Sequence, residues 1–281
     1  MTSHANTTPI PPGIAMPDEV RTRLGTLRFF DGVPDDAATR TLFDNLDFQR
    51  AVQAYLLGLA PVAVAAMRKA LVQWGPVNAT LVMWADLVHP RFLGLVNNTS
   101  TSYHYAWLDL RDGPVVVEVP PKVYGAAIDP WCRWVVDVGL TGPDQGRGGR
   151  YLFVPPGYAG QVPDGDRVVR SRTVGLWVGW RGFRDEHGDP RPAVEMVEAH
   201  TRIHPLSQAD DPPSTRFVNV SAEPMCAVAP ADFRFWEMLD EVVQSEPPES
   251  ADPLTLGMFA SVGIRRGRPF APDERMRAIL T

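Results

Sequence analysis

Lysine is almost absent from this chain. Only Lys69 and Lys122 occur among 281 residues, so Schiff-base chemistry has two candidates, neither in a suggestive context. An excess of positive charge is absent too. The formal net charge of −6 excludes a general nucleic-acid binder, which would carry a basic face. Cysteine is reduced to Cys132 and Cys226, with neither metal-ligand nor redox spacing. Each reads as a buried free thiol, and one long-range disulfide stays open for an exported protein. The first twenty residues, "MTSHANTTPIPPGIAMPDEV", lack the basic start and apolar run of a signal peptide, so the chain as written reads as cytoplasmic, with association to the cell envelope left open. The most apolar segment, Ala54 to Met67, is short for a bilayer and interrupted by Gly58 and Pro61, so no membrane partner is expected.

What is present is a change of hydrophobic period along the chain. Residues 1–23 are polar and Pro-rich and read as a flexible tail. Over 24–76 the period is helical: Leu42, Leu46, Phe48, Val52, Tyr55, Leu56 and Leu59 recur at steps of about three and four. Pro61 is expected to kink or divide this helix, and the Gly-Pro pair after Trp74 to end it. Across 77–206 the period becomes two, in "ATLVMW", "YAWLDL", "PVVVEVP", "RWVVDVGL", "RYLFVPP", "RVVRS" and "TVGLWVGW". The turns between them are rich in Gly, Pro and Asp. Short strands at close spacing predict a mainly β core with flanking helices (α+β), an antiparallel sandwich of jelly-roll kind. The segment 207–281 returns to helical periodicity in "PADFRFWEMLDEVVQ" and at the C-terminus.

The stretch "TGPDQGRGGRYLFVPP" tests for a phosphate loop. Such a loop needs glycines that turn backbone N–H groups inward and then a helix whose N-terminus faces the anion. Here a strand pattern follows, with no Lys-Ser or Lys-Thr pair, so the segment reads as a wide hairpin loop with glycines at positive φ. A lesser alternative has Arg147 and Arg150 holding an anion at its rim.

The densest hydroxyl cluster is "NNTSTSYHY", Asn97 to Tyr105. Ser100, Thr101 or Ser102 could act as nucleophile with His104 as base, but neighbours on a strand face opposite ways. A loop that satisfies its own backbone is the plainer reading. If a ligand sits here, Asn98, Thr101 and Tyr103 would contact it and Trp107 would stack against it, with Asp137 and Arg147 as further candidates. His200 and His204 have the i,i+4 spacing of two zinc ligands on a helix, but the accompanying glutamate is missing and Pro205 ends the segment, so no metal is assigned. Asp129 and Asp137 flank "PWCRWVV" and read as partners of Arg133 or of loop N–H groups rather than as a carboxylate pair. The arginines from Arg265 to Arg277 form a local basic patch, read as a solvated or docking face. No cofactor is called for.

Several long stretches, "LDFQRAVQAYLLGL", "NTSTSYHYAWLDLRDGPVVVEVPP", "DPWCRWVVDVGLTGPDQGRGGRYLFVPPGY", "VVRSRTVGLWVGWRGF" and "SVGIRRGRPFAPDERMRAIL", together resemble the domain of unknown function 1254 family (DUF1254), from about Leu24 to the C-terminus. The resemblance implies a β-sandwich or jelly-roll fold, ordinarily followed by a second β-rich domain that this chain lacks. That leaves a fragment, or a partner on a separate polypeptide. It also implies an Asp where this chain has Ser100, and it brings no reaction or catalytic residues. Three functions stay open. One is a non-catalytic module for a polar small molecule or carbohydrate; another is half of a hydrolase-like enzyme completed by the missing domain. A purely structural role, with a homo-oligomer, is the third. If an absent domain covers this one, the apolar residues of "LTLGMFASVGI" should be exposed.

Overall fold

Asp35 starts the longest element. In the computed structural model, which describes residues 11, 13–14, 16–94 and 97–281, its carboxylate accepts from the Ala38 N–H (2.7 Å) and caps α1 (Asp36–Val72). The expected division of this helix at Pro61 does not occur. Proline removes one ladder bond, but both Gly58 and Pro61 are buried, and packing carries the helix through. Gly58 allows the approach: a Cβ there would lie 2.9 Å from Leu239 and 3.2 Å from Phe235. These belong to α3 (Arg234–Ser245), which with α4 (Pro253–Ser261) and α5 (Glu274–Leu280) forms an apolar cluster with Ala51, Ala54, Val62 and Ala66 of α1. By length and composition α1 could cross a membrane, so the interruption invoked against a span is not there; its C-terminal half is instead core, with Val62, Val64, Ala66, Ala70 and Leu71 buried.

The described residues form a mixed α+β fold with three sheets. β1 (Glu19–Thr22), β2 (Gly25–Phe30) and β3 (Val33–Pro34) form a small antiparallel ribbon. The expected tail therefore ends earlier than residue 23; residues 1–10, 12 and 15 lie outside the described residues. The six-stranded sheet has the order β13 (Arg216–Asn219), β4 (Thr80–Trp84), β5 (Thr101–Asp109), β11 (Gly175–Phe183), β7 (Tyr124–Ile128), β8 (Trp134–Gly139). The four-stranded sheet has the order β10 (Arg167–Arg170), β9 (Gly149–Val154), β6 (Val115–Val119), β12 (Arg202–Pro205). α2 (Arg191–His200) packs near β11. Leu108, Leu176 and Val178 from the larger sheet share one apolar cluster with Val117, Tyr151 and Phe153 from the smaller.

Two expectations are corrected. The core is not wholly antiparallel, because β9 with β10 and β4 with β13 run parallel. It is not mainly β either, since five α-helices share the fold among the described residues. The cysteines are corrected as well: Cys132 and Cys226 are free but exposed.

Close strand packing sets one stability expectation. Gly125 of β7 faces Trp180 of β11, and a Cβ there would lie 2.2 Å from the Gly179 carbonyl oxygen and 2.6 Å from the Trp180 Cβ. Backbone cannot swing aside as a flexible side chain can. Gly125→Ala should therefore cost about 3 kcal/mol or more, read as a fall in the urea midpoint; an unchanged midpoint would refute the tight contact.

Candidate functional site

A cleft of about 720 Å³ lies where α1 and α3 meet the ends of β5 and β11. Each wall has a local origin. Trp107 comes from β5 and Arg111 from the turn after it; Arg68 projects from α1; the last turn of α3 ends at Glu246. The Arg68 guanidinium carbon lies 5.7 Å from the Trp107 ring centroid, a cation–π arrangement.

Glu246 is the chemical centre. It is 3 % exposed, and its two carboxylate oxygens accept from the backbone N–H of Val174 (2.8 Å) and Gly175 (3.1 Å). Gly175 makes room, since a Cβ there would sit 2.9 Å from the Glu246 Oε1 and 2.8 Å from Trp107. Burial lifts the carboxyl from 4.5 to about 7, against the pull of those two N–H groups and Arg111; nearby Asp109 adds to the rise. A carboxyl half-protonated near neutral pH both donates and accepts hydrogen bonds. Around it, much polar capacity is committed: the Gln244 amide donates to Asp240 and to the Arg265 and Arg268 carbonyls, while its oxygen accepts from Gly267 N–H.

The six residues singled out from the sequence do not converge. Asn98, Thr101 and Tyr103 come together, but to satisfy one another. The Asn98 Oδ1 accepts from the N–H and hydroxyl of both Ser100 and Thr101, and its own N–H donates to the Tyr103 hydroxyl (2.8 Å). Trp107 lies at the far end of β5, in the large cleft. Asp137, on β8, accepts from the Trp134 indole N–H (3.0 Å) and borders a shallower pocket of about 170 Å³ with Tyr105, Trp177 and Arg181. Arg147 is exposed in the glycine segment.

That segment is not a hairpin. β8 and β9 belong to different sheets, and the segment crosses between them. Gly146, Gly148 and Gly149 do take positive φ. The anion its amides bind is internal: the fully buried Asp144 accepts from the Gly139 N–H (2.8 Å), the Gly148 N–H (3.1 Å) and the Tyr151 hydroxyl. β9 follows Gly148 directly, with no helix.

Other candidates resolve the same way. His200 ends α2 whereas His204 lies buried on β12, so the helical spacing does not apply. Ser102 and His104 do share a face of β5, but both are buried, and burial lowers the imidazole to about 4. Asp129 accepts from the N–H of Trp131 and Arg133 and pairs with the Arg133 guanidinium at 2.6 Å. Glu246, Arg68 and Arg111 went unnoticed in the sequence. The one available signal was an acid placed between an amphipathic helix and Pro247-Pro248.

Residues 78–205 match the family model described as Protein of unknown function (DUF1254), which upholds the resemblance over that span. No curated protein matches the chain. Among solved structures, the VPA0106 protein from Vibrio parahaemolyticus is similar, at 19% identity and a TM-score of 0.59, over 83% of this chain and 56% of that one. The likeness is one of fold, and the chain spans little more than half the length of that protein.

Proposed function

We propose that the chain, whose residues 78–205 match the DUF1254 model, is a binding module for a small, hydroxyl-rich molecule of the size of a simple sugar or polyol, seated in the cleft beside Glu246. The carrying observation is the near-neutral, buried Glu246 carboxyl on the cleft wall. A group that both donates and accepts matches a hydroxyl, which does the same. Arg68 and Arg111 supply donors for the ligand's oxygens, and the cleft volume falls within the range of ordinary small-molecule sites. Trp107 is 6 % exposed and has Arg68 over its face, so recognition rests on hydrogen bonds more than on stacking. The reading takes the two facing sheets as a jelly-roll-like sandwich, supported by the apolar cluster they share.

A panel of monosaccharides and polyols, followed by thermal shift and tryptophan fluorescence, tests this. A binder should raise the melting temperature, bind more weakly to Arg68→Ala and Arg111→Ala, and lose affinity as pH rises past 7 and Glu246 stops donating. A panel that moves nothing would remove the reading. A second reading, half of a hydrolase, draws on the same carboxyl, because a near-neutral pKa suits a general acid–base. It requires hydrolysis that appears only when a further domain is added in trans and disappears in Glu246→Gln.

A further inference from the structure

The apolar residues of α4 and the turn after it are largely inside: Phe259, Val262 and Ile264 are buried and Leu254 is the open one. The exposed apolar surface lies instead on the N-terminal half of α1. Leu42, Phe43, Leu46, Phe48, Val52, Tyr55, Leu56, Leu57 and Leu59 are 37–57 % exposed. Scattered single exposures need no explanation, but nine within half of one helix do; Phe48, Val52 and Tyr55 among them border a groove beside Phe235 and Trp236, and the rest open to solvent. Leu42, Phe43, Leu46, Leu56 and Leu57 alone present on the order of 400 Å² of open apolar surface on one side of the helix, about half of the roughly 800 Å² that each partner gives to a stable interface.

The order of residues along this half of the helix says what covers it. Leu42, Leu46, Gln49, Gln53, Leu56, Ala60 and Ala63 are all exposed and follow one another at alternating steps of four and three. That is the spacing of a coiled-coil seam, which repeats on average every 3.5 residues, here with leucines around a central glutamine pair and alanines at one end. The first six are also symmetric about residue 51: Leu42 mirrors Ala60, Leu46 mirrors Leu56, and Gln49 mirrors Gln53. A seam whose inner four positions read alike from both ends, Leu-Gln-Gln-Leu, is complementary to itself run backwards, as a two-fold interface requires.

We propose that α1 is the dimer interface of this protein, packed antiparallel against α1 of a second copy. Leu46 then meets the partner's Leu56, and Gln49 meets the partner's Gln53. The glutamine amides pair across the axis, where each supplies a donor and an acceptor, so the polar layer at the centre is satisfied and fixes the register. Charge does not oppose it. Asp44 and Asp47, beside the seam, are held within the protomer by Arg275 at 2.6 and 2.8 Å. A lipid surface fits less well, because Arg50 is the one cation between Leu42 and Ala63, whereas helices that lie on membranes are rich in basic residues.

The test uses the full chain in light scattering across a concentration series, with flotation on phosphatidylcholine–phosphatidylglycerol vesicles alongside. The expected mass is twice that of the chain, with the protein left unfloated. Gln49→Lys with Gln53→Lys sets like charges opposite each other and should give a monomer. Gln49→Lys with Gln53→Glu sets opposite charges together in the antiparallel register and should restore the dimer. All these positions are exposed in the protomer, so circular dichroism should be unchanged. A wild-type monomer at every concentration overturns the proposal, and flotation of that monomer would reassign the face to lipid. A dimer indifferent to the paired lysines, or one that the Lys–Glu pair fails to restore, overturns it as well.

Discussion

Asp144→Ala is expected to remove a large part of the protein's stability, about 3–6 kcal/mol of a typical total of 5–15. The reasoning is an account of donors. The Gly139 N–H, the Gly148 N–H and the Tyr151 hydroxyl all point at one fully buried carboxylate. Alanine leaves the Gly139 N–H and the Tyr151 hydroxyl facing neither water nor an acceptor and the half-buried Gly148 N–H without its partner, and each buried donor so stranded costs about 1–3 kcal/mol. No rearrangement of the segment recovers them cheaply. Gly139 itself has a φ of 76° and sits where a Cβ would come within 2.0 Å of the Val123 carbonyl oxygen. Asp144→Asn should fall between, because one amide oxygen still accepts while its NH₂ opposes the Gly148 N–H. Tyr151→Phe removes one donor together with its demand and should cost about 1 kcal/mol. Urea midpoints at constant m-value give the ranking. If Asp144→Ala melts with the wild type, the segment is held by something other than its own carboxylate.

The Asp144 knot also shows how far sequence reading reaches. Glycines at 146, 148 and 149 signalled positive φ, and the absence of a following helix was legible, because "RYLFVPP" alternates as a strand does. What the pattern could not show is that β8 and β9 lie in different sheets. Sheet membership depends on which long-range partners pair, and periodicity is a local quantity. The same limit hid β7, whose "YGAAI" has small residues at positions where bulk would mark a buried face. It hid β13 too, a short strand that earns its place by pairing in parallel with β4. Pro61 misled in the opposite direction: the local rule breaks a helix there, and contact between Gly58 and Leu239 overrides it. At the site, Trp107 was legible as a large aromatic on a strand. Glu246 was not, because its chemistry comes from burial against Val174 and Gly175, more than seventy residues away in sequence. Asn98 was recognised as a loop residue, and its four contacts with Ser100 and Thr101 are what asparagine commonly does in turns.

Between pH 4.5 and 6.5, the contributions of two buried groups to stability should nearly cancel, and single substitutions should expose each of them. Burial raises Glu246 from 4.5 to about 7 and lowers His104 from 6.5 to about 4. For Glu246 the folded protein holds a proton that the unfolded chain gives up, so this group makes stability fall as pH rises from 4.5 to 7. For His104 the unfolded chain takes a proton that the fold refuses, so stability is present above 6.5 and is lost as pH falls toward 4. Each shift corresponds to about 3 kcal/mol over its window, and the windows overlap with opposite slopes. Glu246→Gln should leave the histidine term alone, making the protein progressively less stable below pH 6.5. His104→Leu should leave the carboxyl term alone, making it more stable at pH 5 than at pH 8. The leucine is tolerable because the polar group nearest the His104 ring is the Trp180 backbone, which already lies between two strand ladders, so replacing the ring strands no other side chain. Urea denaturation at half-unit pH steps measures the slopes, and the slope is the readout, since either substitution also adds an offset that does not vary with pH. Two variants sloping in the same direction would mean that at least one of these groups titrates in the fold much as it does in water. If that group were Glu246, the cleft would lose the chemical feature that marks it as a site.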